Sequence, residues 1–407
     1  MKAIMYGGGN IGRGFIGPLF RAAGYEVIFI DVQADLVETL NARHAYPLRI
    51  ISDGGHEDFM IEGISAINGM DAEAVSDAIA AADICATAVG ANILGRIAPN
   101  LAAGIRKRFH GTDSPLNIII CENLLDADKI LSGMVQEDFT EEERALCGER
   151  IGFVEASIGR MVPVQTEEMK DGDPLRVCVE RYGNLPVDKD AFKGPIPTIG
   201  NMIPFSPFGF YIERKLYVHN MGHAVCAYLG LIAGYEYIFQ AIDDAEIRLI
   251  AENGMLETAR GLAAKYGVDL ADLLPHVINL LGRFGNRALK DTCARVGGDP
   301  VRKLARGDRL IGASLMCEGQ GITPDYVGIG VAAALYQFLQ EAGREQNTEN
   351  AAAALRELSG VGDGDGTGNT LVPAILEDYQ IILDGGGAQA LRRLMDRRAA
   401  ARAEDIV

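Results

Sequence analysis

Near the start of the chain, Gly7-x-Gly9-x-x-Gly12 has the spacing of a phosphate cradle. The first glycine permits a tight turn, and the second lets backbone approach a pyrophosphate. The third lets a helix pack closely on the strand before it. Asn10 and Ile11 complete the loop, and a helix starting there aims its free N–H groups at bound phosphates. Asp31 follows 19 residues after Gly12, at the end of the apolar run Val27-Ile28-Phe29-Ile30. A carboxylate at that point accepts hydrogen bonds from an adenosine ribose and repels a 2′-phosphate. Val32 and Gln33 add no positive charge, so the expected cofactor is NAD rather than NADP. The bland readings are a glycine turn that binds nothing and, for Asp31, a helix N-cap.

Four further places carry chemistry. Arg13 falls in the first helical turn, where a cation is unfavourable unless an anion is bound; it reads as a phosphate or substrate contact, or as a solvated arginine. Gly90 and Asn123 each follow a short buried run, at the edge where such sheets meet ligands. An amide at 123 can hydrogen-bond a substrate oxygen or nicotinamide, or simply form a turn. Lys215, Asn220 and His223 stand in the stretch Glu213-Arg214-Lys215-Leu216-Tyr217-Val218-His219-Asn220-Met221-Gly222-His223. Asn220 and His223, three apart, share a helix face, but Lys215 to His223 is about 12 Å of helical rise. Only a long lysine or a break in the helix brings all three together, and composition alone reads as the polar start of a helix. Finally, Arg295, Arg302, Lys303 and Arg309 form either a sugar-phosphate site, with Arg302 and Arg309 the substrate contacts, or a solvated basic face.

The elements that hold these residues follow from apolar periodicity. Residues 2–6 are a short buried run, 11–23 a helix, and 27–30 a second strand, which together open a Rossmann unit. A helix fits 36–43, a hairpin-like insertion 48–63, a helix 72–82, and buried strands 84–90 and 116–121, with another starting at Phe153. Such alternation predicts a mostly parallel, doubly wound sheet covered on both faces. The texture changes near residue 195, where Pro195, Pro197, Pro204 and Pro207 suggest a linker, and helical patterns dominate from Tyr211. The expected division is an NAD-binding domain, 1–195, and a mainly α-helical substrate domain, 196–407, with the site in the cleft between them. Residues 359–369 are glycine-rich. Their D-x-D-x-T spacing from Asp363 resembles a calcium loop, but Ala374 stands where that loop needs glutamate.

Composition narrows the classes. Of 407 residues, 49 are glycine without a collagen period, and 38 basic against 56 acidic residues give a net charge of −18. So acidic a chain, with no basic run, is not expected to bind nucleic acid or an anionic membrane. The seven cysteines are at least 24 residues apart, so no C-x-x-C pair offers a metal or redox site, and reduced thiols are expected. No apolar stretch reaches about 18 residues, and no leader pattern precedes the first strand. A cytoplasmic protein, a monomer or small homo-oligomer, is expected.

With these residues in place, the chain resembles the polyol-specific long-chain dehydrogenases. The likeness rests on GGGNIGRGFIG at the start, LNARHAYPLRI at 40–50, TAVG at 87–90 and CEN at 121–123. It continues in FVEASIGRMVP at 153–163, FKG at 192–194, ERKLYVHNMGHAVCAYLG at 213–230 and RVGGDPVRKLARGDRLI at 295–311. The K-x-x-x-x-N-x-x-H element of that family matches Lys215, Asn220 and His223. The resemblance implies metal-independent hydride transfer between NAD and a polyol or polyol phosphate, with D-mannitol 1-phosphate and D-fructose 6-phosphate as the expected pair. It implies Lys215 as general acid/base, Asn220 and Asn123 as holders of the substrate oxygen, and His223 as an orienting hydrogen-bond partner. Gly159 stands where members often carry aspartate. An unphosphorylated polyol or a sugar acid is the alternative substrate, and an NAD-sensing protein without turnover the alternative class.

Overall fold

The computed structural model describes residues 1–362 and 370–404. The calcium-loop pattern from Asp363 therefore lies outside the described residues. Two compact units divide the chain, Met1–Tyr211 and Ile212–Val407.

The first unit is built on six parallel strands: β1 Lys2–Tyr6, β2 Glu26–Asp31, β5 Ile64–Asn68, β6 Ile84–Thr87, β7 Leu116–Ile120 and β8 Ile151–Glu155. Their spatial order is β5-β2-β1-β6-β7-β8, the doubly wound Rossmann order. Side chains alternate across each strand. In β1, Ala3 and Met5 join a cluster with Phe15, Phe20, Val27 and Phe29, whereas Ile4 and Tyr6 join Ile30, Val75, Ile79 and Leu101 on the opposite face. Burial on both faces is why these strands read as unbroken apolar runs.

The hairpin at 48–63 is present as β3 Ala45–Ser52 and β4 Gly55–Glu62, paired antiparallel. A short strand, β9 Val177–Val179, adds to β3 in parallel. The proline-rich segment differs from a plain linker. Within it, β11 Met202–Phe205 pairs with β10 Leu185–Asp188, and Pro204 sits opposite Val187. In a two-stranded pair each strand is an edge, where proline is tolerated.

The second unit is helical. Met221–Ala233 is its central helix, buried along nearly its whole length and packed against Ala245–Tyr266 and Asp325–Glu341. Asp244 caps the longest of these, its Oδ1 accepting from the amides of Glu246 and Ile247 at 3.0 and 3.1 Å. Glu257, buried mid-helix, accepts from the amides of Tyr326 and Val327 at the start of Asp325–Glu341. Among the described residues, no helix is long and apolar enough to cross a membrane.

Candidate functional site

In the first unit the glycine loop lies where the strand order reverses, between the carboxyl ends of β1 and β6. Gly7 has φ +103°, and a Cβ there would meet the Ala88 carbonyl oxygen at 2.5 Å. A Cβ on Gly12 would stand 2.0 Å from the Gly7 oxygen, whereas one on Gly9 would meet nothing within 4 Å. Thus Gly7 and Gly12 are closed against protein and Gly9 faces open space, with Asn10 exposed beside it. The helix begins as a wide π turn, Gly12–Ile16, before the α-helical Gly17–Ala22. Asp31 bridges the loop to its own strand end: Oδ2 accepts from the Gly8 amide at 2.8 Å and Oδ1 from the Gln33 amide at 3.0 Å.

Arg13 is turned inward. It is 8% exposed. Its Nε donates to the Gly8 carbonyl at 2.6 Å, and Nη1 donates to the Leu175 carbonyl. Through Nε and Nη1 the buried guanidinium thus engages the backbone of the loop and of Leu175 rather than solvent. Arg160 acts similarly, donating to the carbonyls of Gly14 and Glu180 at 2.8 and 2.9 Å.

Gly90, at φ +93°, and the exposed Asn123 follow β6 and β7. Between them lies a residue the sequence reading passed over. Glu122 is buried, accepts from the Thr87 hydroxyl at 2.7 Å and from the Val89 amide at 3.0 Å, and so ties the two strand ends together. Burial pushes its carboxyl up, opposed by those hydrogen bonds. The signal was an acid placed directly after the buried Ile118-Ile119-Ile120-Cys121.

In the second unit the break that the signature requires is present. Arg214–Asn220 is a π-helical stretch leading into Met221–Ala233. The Met221 amide reaches back five residues to the Leu216 carbonyl. On an α-helix, residues five apart lie about 140° from one another; a turn closed by i→i+5 bonds brings them round to nearly the same face. Lys215 and Asn220 are separated by this spacing, and His223 follows one turn on. All three are partly exposed, while Val218, His219, Met221 and Gly222 are buried.

The surroundings are cationic. Burial holds His219 well below its usual pKa, and the groups that add to this, Arg283, His223, His276 and Lys215, are all potential cations. His276 is pushed down to about 2 by burial, then by Arg214 and Arg283. Burial thus keeps both histidines neutral, with Arg214, Lys215 and Arg283 among the groups that act on them. His223 stacks on Phe284, ring centres 4.8 Å apart at 7°, with its Nε2 3.3 Å from Asp291 Oδ2.

The basic set further along is balanced by acids. Arg295 pairs with Asp291, Arg302 with Asp299 and Asp308, and Arg309 with Asp308. Lys303 is buried, which lowers its pKa to about 8 together with Arg309 and Arg302. Arg302, half exposed, and Arg309, largely buried, are thus each paired with neighbouring carboxylates. Among the described residues, no group of three or more histidine, cysteine, aspartate or glutamate side chains is placed to hold a metal ion.

Comparison with known families decides the lineage. The mannitol dehydrogenase Rossmann domain matches residues 1–201 and the mannitol dehydrogenase C-terminal domain residues 209–360. The chain belongs to the mannitol dehydrogenase family. Within that family, a protein of Brevibacillus brevis named mannitol-1-phosphate 5-dehydrogenase is 43% identical over 335 residues, 82% of this chain and 86% of its own. Two solved structures share the mannitol dehydrogenase fold at low identity. D-sorbitol dehydrogenase in substrate-free form has a TM-score of 0.79 at 14% identity, covering 96% of this chain and 94% of that one. Pseudomonas fluorescens mannitol 2-dehydrogenase, in a ternary complex with NAD and D-mannitol, has a TM-score of 0.74 at 16% identity, covering 97% and 94%.

Proposed function

We propose that this member of the family is an NAD-dependent dehydrogenase that interconverts D-mannitol 1-phosphate and D-fructose 6-phosphate, without a metal ion and with Lys215 as acid/base. The observation that carries the reading is the placement of Lys215, Asn220 and His223 on one π-to-α junction. A protein that only sensed NAD would have no use for a proton donor there. The name of the Brevibacillus relative supports the phosphorylated pair.

The loop residues fit a dinucleotide. Gly9 leaves open space beside free helix-start amides, and Asp31 places a carboxylate at the end of β2. Gly7, Gly9, Asn10, Ile11 and Gly12 would hold the pyrophosphate, Asp31 the adenosine ribose, and Gly90 would leave backbone room beside them. Bound NAD supplies the site for hydride exchange. In sugar reduction the carbonyl oxygen gains negative charge and needs a proton, which Lys215 Nζ donates; in polyol oxidation the same atom takes it back. An ordinary lysine, near 10.4, is a weak base at neutral pH; burial beside the oxidised nicotinamide, which is cationic, would lower it. The Asn220 amide donates to the developing oxyanion, and His223 orients a neighbouring hydroxyl.

The test is NADH oxidation by the purified protein with fructose 6-phosphate, fructose and several keto-sugar acids. Fructose 6-phosphate should be preferred at least about 100-fold in kcat/KM, the worth of an ion-paired phosphate. Equal use of fructose overturns the phosphate assignment. Activity lost to prolonged chelation and restored by zinc overturns the metal-free one.

A further inference from the structure

His223 is held on two sides by residues outside the signature. Its ring lies flat on Phe284, which sets the ring plane. Its Nε2 is 3.3 Å from Asp291 Oδ2, which sets the rotation within that plane. The separation is long for a hydrogen bond, as such contacts often are before substrate tightens them. Asp291 itself cannot wander. Its carbonyl accepts from the Ile238 amide at 2.9 Å, Thr292 forms an antiparallel bridge with Tyr237, and the Cys293 amide donates to the Glu236 carbonyl at 2.8 Å. Its other carboxylate oxygen, Oδ1, accepts from Arg295 Nε at 2.8 Å and Nη2 at 2.5 Å.

We propose that Asp291 is a positioning residue that holds His223 in its Nε2–H form, leaving Nδ1 as a hydrogen-bond acceptor for a substrate hydroxyl. The proposal rests on His223 being the substrate-orienting group. An ionised carboxylate can only accept, so the nitrogen facing it carries the proton, and in a neutral imidazole the other nitrogen is then an acceptor. Asp291 is ionised at neutral pH. Burial would raise its pKa, but it is lowered, with the hydrogen bonds from His223 and Arg295 and the Arg295 charge among the causes. The titratable groups around the ring are Asp291, which carries Arg295 on its other oxygen, and the buried, neutral His219, whose ring centre is 6.2 Å away; Arg283, His276 and Lys215 act with His223 on His219. His223 therefore selects for a donor. It reads a hydroxyl on the carbon chain, while the amide of Asn220 and the ammonium of Lys215 serve the oxygen that bears charge. The three signature residues thereby divide into two donors and one acceptor.

Two measurements on the full-length protein test this. In the first, the imidazole ¹⁵N resonances of histidine-labelled protein are recorded without substrate, with His223→Gln identifying the peak. His223 should show the Nε2–H pattern in the wild type and a mixed or reversed tautomer in Asp291→Asn. An Nδ1–H pattern in the wild type, or one unchanged in the variant, overturns the proposal whatever the substrate is. In the second, Asp291→Asn should lower kcat/KM for fructose 6-phosphate about 10–100-fold, the usual effect of an orienting partner, with NADH affinity and melting temperature preserved. In a His223→Ala background the same change should cost less than threefold, because its route is gone. Full additivity of the two changes overturns the proposal. A wild type that turns over no sugar phosphate would sink the proposed reaction, yet leave the tautomer result standing.

Discussion

The Thr87 hydroxyl donates to Glu122 Oε2 at 2.7 Å across the ends of two adjacent parallel strands. The other carboxylate oxygen takes the Val89 amide, so one buried acid fixes both the turn before Gly90 and the residue before Asn123. Glu122→Ala strands a buried hydroxyl and a partly buried amide, a cost of about 1–3 kcal/mol. Calorimetry should show the melting temperature falling by roughly 2–10 °C, and NADH titration should show weaker binding. Unchanged values for both would mean that the carboxylate does not organise the loops.

Lys215→Ala should lower kcat by about 10²–10⁴-fold, the range for loss of a general acid or base. NADH affinity should stay within threefold, because the glycine loop belongs to the other unit. A variant that folds, binds NADH and still transfers hydride at near wild-type rate from pH 6 to 10 would exclude Lys215 as the proton donor.

Asp31 should dictate cofactor choice. Wild-type kcat/KM with NADH should exceed that with NADPH by more than about tenfold if the Asp31 carboxylate takes the ribose, because it would repel a 2′-phosphate. Asp31→Ser should narrow the gap. It should also weaken NADH, since the same carboxylate holds the Gly8 amide. Comparable use of both cofactors by the wild type would remove the ribose assignment.

Glu155, half-buried at the end of β8, is pushed up to about 7 by burial and by Asp128. Its folded pKa lies above the unfolded value near 4.3. The folded state therefore keeps a proton that the unfolded state releases, and this contribution to stability is lost as pH rises through about 4.5 to 7. Glu155→Gln removes the dependence. The variant should match the wild type at pH 5 and exceed it by about 1–2 kcal/mol at pH 8, after discounting for solvent. Melting curves that stay parallel across that range would show that the side chain is not perturbed.

The sheet was legible because its strands are buried on both faces, and the glycine loop because its chemistry is local. The stretch from Lys215 to His223 was only half legible. A reading based on a 3.6-residue period places Lys215 and Asn220 on different faces, and nothing in their composition announces a π turn. Long-range partners left no trace in local sequence. Arg13 meets the Leu175 carbonyl 162 positions away, and His223 meets Asp291 across 68. An arginine near a phosphate loop looks the same in sequence whether it turns outward to an anion or inward to carbonyls. Arg302 and Arg309 were equally ambiguous, since the aspartates that hold them, Asp299 and Asp308, lie within the same run.

The inward turn of Arg13 has a consequence for the order of events during synthesis. A nascent chain leaves the ribosome from its N-terminus, and domains fold as they emerge. The last strand of the six-stranded sheet ends at Glu155, but Leu175, whose carbonyl seats Arg13, and Val179, which packs on Gly14, come out later. A chain halted between these points contains every strand of the parallel sheet while its first loop still lacks a foundation. The glycine loop thus reaches its final form only after residues some 160 positions further along have emerged.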